Sequence, residues 1–367
     1  MSATNQFADP QAILAAVAEF IEPNAGLSLG DTAAKIQWLS QSPGQSPVLN
    51  VQLAYPLGAA GTAVAGQIRD ALTQFGGIEV QLHSEIPSSA VQQNLKPVQG
   101  IRNILVVASG KGGVGKSTTA ANLALSLARD SVRVGLLDAD IYGPSQARMM
   151  GLTGQRPASH DGKTFQPLDA YGVKVMSIGL LVDEEQPMVW RGPMVTQALT
   201  QLLNDCVWGE LDYLVVDMPP GTGDIQLTLS QRVPISGALI VTTPQDIALL
   251  DARKGLKMFE KVGVPVLGIV ENMSTHICSR CGHEEHVFGS GGGARMAAQY
   301  GVDLLAELPL DIRIREQSDT GAPTVVADPD GELAASYLRL ARRTSARLAR
   351  HASHAVRAMP SINIEAS

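Results

Sequence analysis

Two lysines share one glycine-rich run, SGKGGVGKST, from Ser109 to Thr118. Gly110, Lys111, Gly112, Gly113, Val114, Gly115, Lys116 and Ser117 fit the pattern G-x-x-x-x-G-K-[ST]. Such a run can wrap consecutive backbone N–H groups around phosphates, because glycine lets the chain turn inward without a side-chain clash. It follows the apolar stretch ILVVAS and opens the helical stretch TAANLALSLARD, so the helix's positive end faces the same anion. Lys116 is suited to the β- and γ-phosphates of ATP and the Ser117 hydroxyl to Mg²⁺, with Thr118 completing the cradle. Lys111 is surplus to that task. A loop already served by Lys116 leaves its first ammonium to point elsewhere.

Carboxylates stand where such a loop would need them. Asp138 and Asp140, in LLDADIYGPS, end one apolar run, and Asp217 ends another, DYLVVD, just before MPPGTGD. Ligands of an open α/β sheet sit beyond the carboxyl ends of its strands. Asp217 is therefore expected to hold Mg²⁺ through water, with the Pro-Pro-Gly-Thr-Gly turn behind it as a switch sensing the γ-phosphate. Asp138 is read as structural. Asn272 in VENMS ends a further strand beside the expected base site, and Pro309 and Asp311 in ELPLDIRIREQ follow the next.

A second chemistry lies in ENMSTHICSRCGHEEHVFG. Cys278 and Cys281 form a C-x-x-C among polar residues, which in a reducing compartment marks a metal or a redox couple. Three readings stay open. Zinc through Cys278, Cys281, His283 and His286 is one, though only Gly282 separates Cys281 from His283, a cramped spacing. A catalytic dithiol is another, with no thioredoxin-like unit nearby. The third is a four-iron cluster, which needs about four thiolates. Each chain offers one pair, so two chains across a two-fold axis would supply the set. Cys206 sits among Val195, Leu199, Leu202 and Leu203 at helical spacing and reads as core; Met149 and Met150 read as packing, and His160 carries no signal.

These residues imply the elements that hold them. From Ile101 onward, apolar strands alternate with longer helices: 104–109, 132–138, 173–178, 212–217, 238–243, 266–272, and a seventh near Leu304–Leu308. Near-continuous Val/Ile/Leu strands imply a sheet covered on both faces, hence a mostly parallel, doubly wound α/β fold. Before it, residues 10–82 read as helix, two strands, helix, strand, a small α+β domain. The expected organisation is that domain over 1–86, a linker at 87–100, the nucleotide-binding domain with the C-x-x-C over 101–330, and a C-terminal helix and tail over 331–367. Arg339, Arg342, Arg343, Arg347 and Arg350 are expected to form a solvated face of that last helix.

Composition narrows the function classes. The chain of 367 residues is 45% hydrophobic and 17% charged, a globular balance, with three cysteines that cannot build a disulfide framework. A net charge of −7 argues against nucleic acid or a stable association with an anionic membrane. The first residues lack the basic start and apolar core of a signal peptide, and no apolar run approaches the roughly 20 residues that span a bilayer. A cytoplasmic location is expected.

The loop SGKGGVGKST resembles the deviant-loop class of ATPases, GKGGVGK[ST], with MinD, ParA and nitrogenase iron-protein relatives. That resemblance implies that Lys111 crosses a homodimer interface to the other subunit's nucleotide, doing in trans the work of an arginine finger. It also implies that Asp140 is the switch-one carboxylate near Mg²⁺ and the attacking water. Together with LLDADIYGPSQ, WRGPM, DYLVVDMPPGTGD, ENMS and the C-x-x-C, the loop looks like the Mrp/ApbC family of iron–sulfur carrier ATPases, over about 96–325. The resemblance implies a labile [4Fe–4S] cluster at a dimer interface, its delivery to apoproteins, and slow, dimer-dependent ATP hydrolysis. The first eighty residues or so resemble the small iron–sulfur assembly domain that often precedes this ATPase, but LAYPLGAAGT (53–62) replaces its usual cysteine motif. Two alternatives are kept: a MinD/ParA-like positioning ATPase, supported by the basic C-terminal stretch, and a zinc-binding P-loop adaptor.

Overall fold

The computed structural model describes residues 9–39, 46–89, 92, 95–159, 161–181, 192–278 and 280–358. His160, the Trp190 and Arg191 of WRGPM, and parts of the 87–100 stretch lie outside the described residues. Two compact units divide the chain: one takes Met1–Ala90 with Ser345–Ser367, the other Val91–Thr344.

In the smaller unit, Pro at the first helical position and Asp9 capping the Gln11 N–H start α1 (Pro10–Glu19). A short pair, β1 (Ile21–Glu22) and β2 (Leu27–Ser28), precedes β3 (Lys35–Leu39) and β4 (Val48–Leu53); α2 (Ala60–Ala71) and β5 (Glu79–Ser84) complete the unit. β4 is the centre of a three-stranded sheet, antiparallel to β3 and parallel to β5. Ile13, Val17, Leu49, Val51, Leu53, Val64 and Ile68 fill its core, joined by Ala346 and Ala349 of the final helix. Tyr55, in the stretch that lacks cysteine, is fully buried and donates its hydroxyl to the buried Glu22 carboxylate.

The larger unit is built on eight strands in the order β15-β12-β11-β6-β10-β7-β9-β8. They are β6 (Ile104–Ser109), β7 (Val134–Asp138), β8 (Leu168–Ala170), β9 (Val173–Ser177), β10 (Tyr213–Asp217), β11 (Gly237–Thr242), β12 (Val266–Asn272) and β15 (Leu304–Leu308). Seven run parallel; β8 adds one antiparallel edge strand, three residues too short to announce itself in the sequence. Every residue of β6, β7, β10, β11 and β12 is buried. Each fully buried Val, Leu or Ile side chain there is worth about 1.5–3 kcal/mol, which is why these strands carry no alternating polar pattern. A further hairpin, β13 (His276–Ile277) with β14 (Glu284–Glu285), leaves the end of β12 and was not evident in the sequence.

The helices are α3 (Lys116–Arg129), α4 (Gln146–Met149), α5 (Gly192–Asn204), α6 (Asp224–Arg232), α7 (Asp246–Lys261), α8 (Gly292–Tyr300), α9 (Ile312–Asp319), α10 (Thr324–Ala327) and α11 (Glu332–Ala358). The expectation of a solvated arginine face on α11 needs correcting. Arg342 makes a two-pronged pair with Asp130, both contacts at 2.8 Å. Arg343 donates to the Leu305 carbonyl at 2.9 Å, and Arg347 is buried with a bond to the Ala25 carbonyl. These three guanidinium groups are internal ties, while Arg339 stays exposed as expected. Among the described residues no helix is long and apolar enough to cross a membrane.

Candidate functional site

Five strands deliver their carboxyl ends to one place. β6 runs into the glycine loop, β7 ends at Asp138, β10 at Asp217, β12 at Asn272, and β15 is followed by Pro309. The loop's glycines divide by what surrounds them. A Cβ on Gly110 would land on the backbone of Asp251, and one on Gly115 on the amide of Asn272, so both ends of the loop are sealed by neighbours. Gly112 and Gly113 face open space, and Gly113 holds φ +77°, where a side chain would be strained. The result is a fixed rim around an open cradle, the shape a phosphate chain requires. Asn272 anchors the rim, its Nδ2 donating to the Val114 carbonyl at 2.9 Å.

Lys116, the first residue of α3, is only 6% exposed and its ammonium lies 2.5 Å from Asp217 Oδ1 and 3.6 Å from Asp140 Oδ2. It also donates to Ser117 Oγ at 3.1 Å. Burial pushes the Asp140 carboxyl above the usual range; Lys116 works against that and Asp217 adds to it. Asp140 Oδ1 is buried and has no hydrogen-bond partner among the described residues, a donor atom ready for a cation or its water. Around the Lys116 ammonium, Ser117, Asp140 and Asp217 therefore gather the hard oxygen ligands that suit Mg²⁺.

Asp138 is the structural member. Its carboxylate accepts from the backbone N–H groups of Asp140, Ser145 and Gln146 and from Ser177 Oγ, at 3.0–3.1 Å. Complete burial, reinforced by the negative charge of Asp217, pushes its carboxyl up to about 7 despite those donors.

Asn272, Pro309 and Asp311 line a single cavity of about 290 Å³ with Gly115, Thr118 and Tyr337. Asp311 also caps α9 through the Arg313 N–H at 2.8 Å and pairs with the Arg313 side chain. Met149 lines the same cavity, while Met150 is core. A larger cavity, about 560 Å³, opens at the opposite, amino ends of the strands beside Pro97, Cys206 and Arg232. It contains none of the loop residues. Cys206 itself is core, its thiol pushed up to about 12 by burial.

The cysteines occupy the tip of the β13–β14 hairpin. Cys278 N–H donates to the His283 carbonyl and Gly282 N–H to the Cys278 carbonyl, both at 2.9 Å, closing a tight turn. Hydrogen bonds from the backbone N–H groups of Arg280 and Cys281, and then from the Cys281 side chain, hold the Cys278 thiol below its usual range. Those donors ease the Cys278 sulfur toward thiolate, the metal-binding form. Among the described residues, no three His, Cys, Asp or Glu side chains converge as a metal site. His286 turns its Nδ1 to the Ser274 carbonyl at 2.8 Å. The four-ligand zinc reading thus gains no support from the geometry.

Lys111 is partly exposed, and among the described residues its ammonium has no carboxylate partner. Large apolar side chains are exposed at the same carboxyl edge of the sheet: Tyr142 after β7, Ile247 and Leu250 on α7, and Ile277 and Val287 around the cysteine hairpin. Sequence reasoning passed over Gln146, which joins Asp217 to α3. Its one signal was a polar residue opening a short helix directly after the Asp138–Asp140 strand end.

Comparison with known proteins agrees with this construction. The family model described as ParA, NUBPL iron-transfer P-loop NTPase, matches residues 100–345. The iron-sulfur cluster carrier protein of Pseudomonas fragi is 58% identical over 275 residues, 74% of this chain and 96% of the relative. That of Escherichia coli is 54% identical over 277 residues, 76% of this chain and 75% of the relative. Among solved structures, a nucleotide-binding protein from Archaeoglobus fulgidus in complex with ADP is 36% identical, with a TM-score of 0.55 over 64% of this chain and 91% of that one. The cell division ATPase MinD of Pyrococcus furiosus, 24% identical with a TM-score of 0.50 over 66% of this chain and 97% of its own, shares the fold. With a P-loop at the end of its central strand and an iron–sulfur carrier's sequence across the larger unit, the chain belongs to the NUBPL iron-transfer family of ParA-type P-loop NTPases, the group that includes the iron–sulfur carrier ATPases of the Mrp/ApbC kind.

Proposed function

We propose that the chain is an ATP-hydrolysing iron–sulfur cluster carrier, which binds a [4Fe–4S] cluster between two copies of itself and passes it to apoproteins. The observation that carries the reading is the composition of one edge. The hairpin tip there offers two metal-binding sulfurs and, among the described residues, no third ligand, and the glycine loop beside the sheet's carboxyl ends holds a lysine that has no carboxylate partner among the described residues. Both are half-sites. A second copy meeting this edge would complete the cluster with its own Cys278 and Cys281 and receive Lys111 at its nucleotide. The exposed Tyr142, Ile247, Leu250, Ile277 and Val287 give such a contact apolar area to bury.

In the nucleotide site, Gly110–Thr118 would cradle the phosphates, with Lys116 leaving its carboxylates to neutralise them. Ser117, Asp140 and Asp217 would hold Mg²⁺, whose chemistry is to screen the phosphate charge during transfer. Asn272, Pro309 and Asp311 would border the base. The ADP bound by the Archaeoglobus fulgidus relative supports an adenine nucleotide here. Lys111 would enter from the partner to stabilise transition-state charge, making turnover slow in the monomer. We further propose that residues 1–86 form a small assembly-type domain, followed by a linker at 87–100, the ATPase domain over 101–330 and the C-terminal helix and tail. The small domain's lack of cysteine leaves the cluster to the larger one. A reducing cytoplasm suits the free thiols.

Cluster transfer is the test. The protein is reconstituted anaerobically and mixed with an apoprotein that has a four-cysteine site, with and without MgATP. Appearance of the acceptor's cluster spectrum, changed in rate by ATP, is the expected result. Failure to load any cluster, or loading with no transfer in either condition, would overturn the proposal.

A further inference from the structure

Asp217 has both carboxylate oxygens committed. Oδ1 takes the Lys116 ammonium; Oδ2 takes the side-chain amide of Gln146, Nε2 donating at 2.9 Å. The same Nε2 donates to the Ser117 carbonyl at 3.0 Å. Gln146 is fully buried, and its backbone N–H is itself held by Asp138 Oδ2 at 3.0 Å. One residue thus joins the end of β7, the end of β10 and the first turn of α3. A buried primary amide is costly unless its groups are paired. Yet Gln146 Oε1, with Ser145 Oγ and Asp140 Oδ1 on the same segment, is buried and without a partner among the described residues. An apolar residue of similar volume would fill the space without that cost, so the amide's worth lies in what Nε2 holds.

We propose that Gln146 is the positioning residue of the metal-binding carboxylate: it locks Asp217 against the first turn of α3, so that the carboxylate keeps its orientation when Lys116 leaves it for the phosphates. The inference rests on the nucleotide-site reading above. Of the two donors on Asp217, Lys116 is the one the reading moves, and Gln146 is the one that stays. Asp138, with its four hydrogen bonds, fixes the start of α4 and so fixes Gln146 in turn. Outer partners that orient metal ligands are typically worth about 10–100-fold in metal affinity.

The test is a Mg²⁺ titration of fluorescent ATP-analogue binding to the full chain. Gln146→Met keeps the length and removes the donor. Its expected signature is unchanged analogue affinity in EDTA, with the Mg²⁺ midpoint raised about 10–100-fold. Because the effect runs through Asp217, Gln146→Met added to Asp217→Asn should shift the midpoint no further. A wild-type midpoint in Gln146→Met would overturn the proposal, as would an equal shift in the Asp217→Asn background. Should Gln146→Met fail to fold by circular dichroism, Gln146→Asn serves: its amide falls one methylene short of Asp217, so its midpoint must also rise, and an unmoved one overturns the proposal. A wild-type chain that binds no analogue, or a Lys116→Ala chain that binds it normally, would overturn the nucleotide-site reading and the proposal with it. That result is distinct from a normal wild type with a silent Gln146.

Discussion

Replacing Lys116 with methionine keeps the volume of the stem and deletes one charge from a buried carboxylate cluster. Its ammonium is 2.5 Å from Asp217 Oδ1 and 3.6 Å from Asp140 Oδ2; Asp217 is fully buried and Asp140 only 8% exposed. Removing one partner of a buried ion pair costs about 3–5 kcal/mol. The Asp140 carboxyl, already pushed above the usual range by burial and held back by Lys116, moves higher still without the cation. The native state then holds protons that the unfolded chain has released, so stability falls as pH rises. The loss should be near its full size at about pH 8 and shrink at about pH 5, where the carboxylates protonate. Urea unfolding of the nucleotide-free protein at both pH values measures it. Equal midpoints for Lys116→Met and wild type at both values would refute the electrostatic reasoning. The same variant should lose binding of a fluorescent ATP analogue, and retained affinity would refute the site assignment.

Lys111→Ala should still bind nucleotide within one chain while turnover drops, by as much as ~10³-fold if the lysine acts in trans; steady-state ATPase with a binding titration checks both halves. Cys278→Ser and Cys281→Ser should each abolish cluster absorbance on anaerobic reconstitution and leave ATP binding intact, because serine is a far less acidic, harder ligand than thiolate. Cys206→Ser should keep the cluster and lose some thermal stability from a buried hydroxyl. With the Asp138 carboxyl raised to about 7, the nucleotide-free wild type should lose stability as pH rises from about 4 to about 7. Denaturant midpoints across that window should fall, and flat midpoints would contradict the assignment.

Much of this was legible because the deciding signals are local. The glycine loop is contiguous, its flanking strand and helix adjoin it, and the buried parallel strands read as unbroken Val/Ile/Leu runs. Asp217 announced itself by ending such a run before a glycine-proline turn. What escaped depends on partners chosen across the fold. Gln146 meets Ser117 and Asp217, 29 and 71 positions away. Arg342 finds Asp130 at a separation of 212, so three arginines of a series that looked like a solvated face, Arg342, Arg343 and Arg347, are internal ties. No periodicity encodes such pairings. The β13–β14 hairpin and the β8 edge are two and three residues per strand, too short for alternation to register. The cramped Cys281–His283 spacing argued against local zinc, and among the described residues no three metal-ligating side chains converge there.

The most direct measurement is metal stoichiometry together with mass on anaerobically purified and reconstituted protein. Iron, acid-labile sulfide and zinc are quantified on the same sample whose mass is read by light scattering. The expected result is about four irons and four sulfides per two chains, in a particle of dimer mass, lost in Cys278→Ser. Zinc at one per chain, with no iron or sulfide, in a particle of monomer mass would contradict the account.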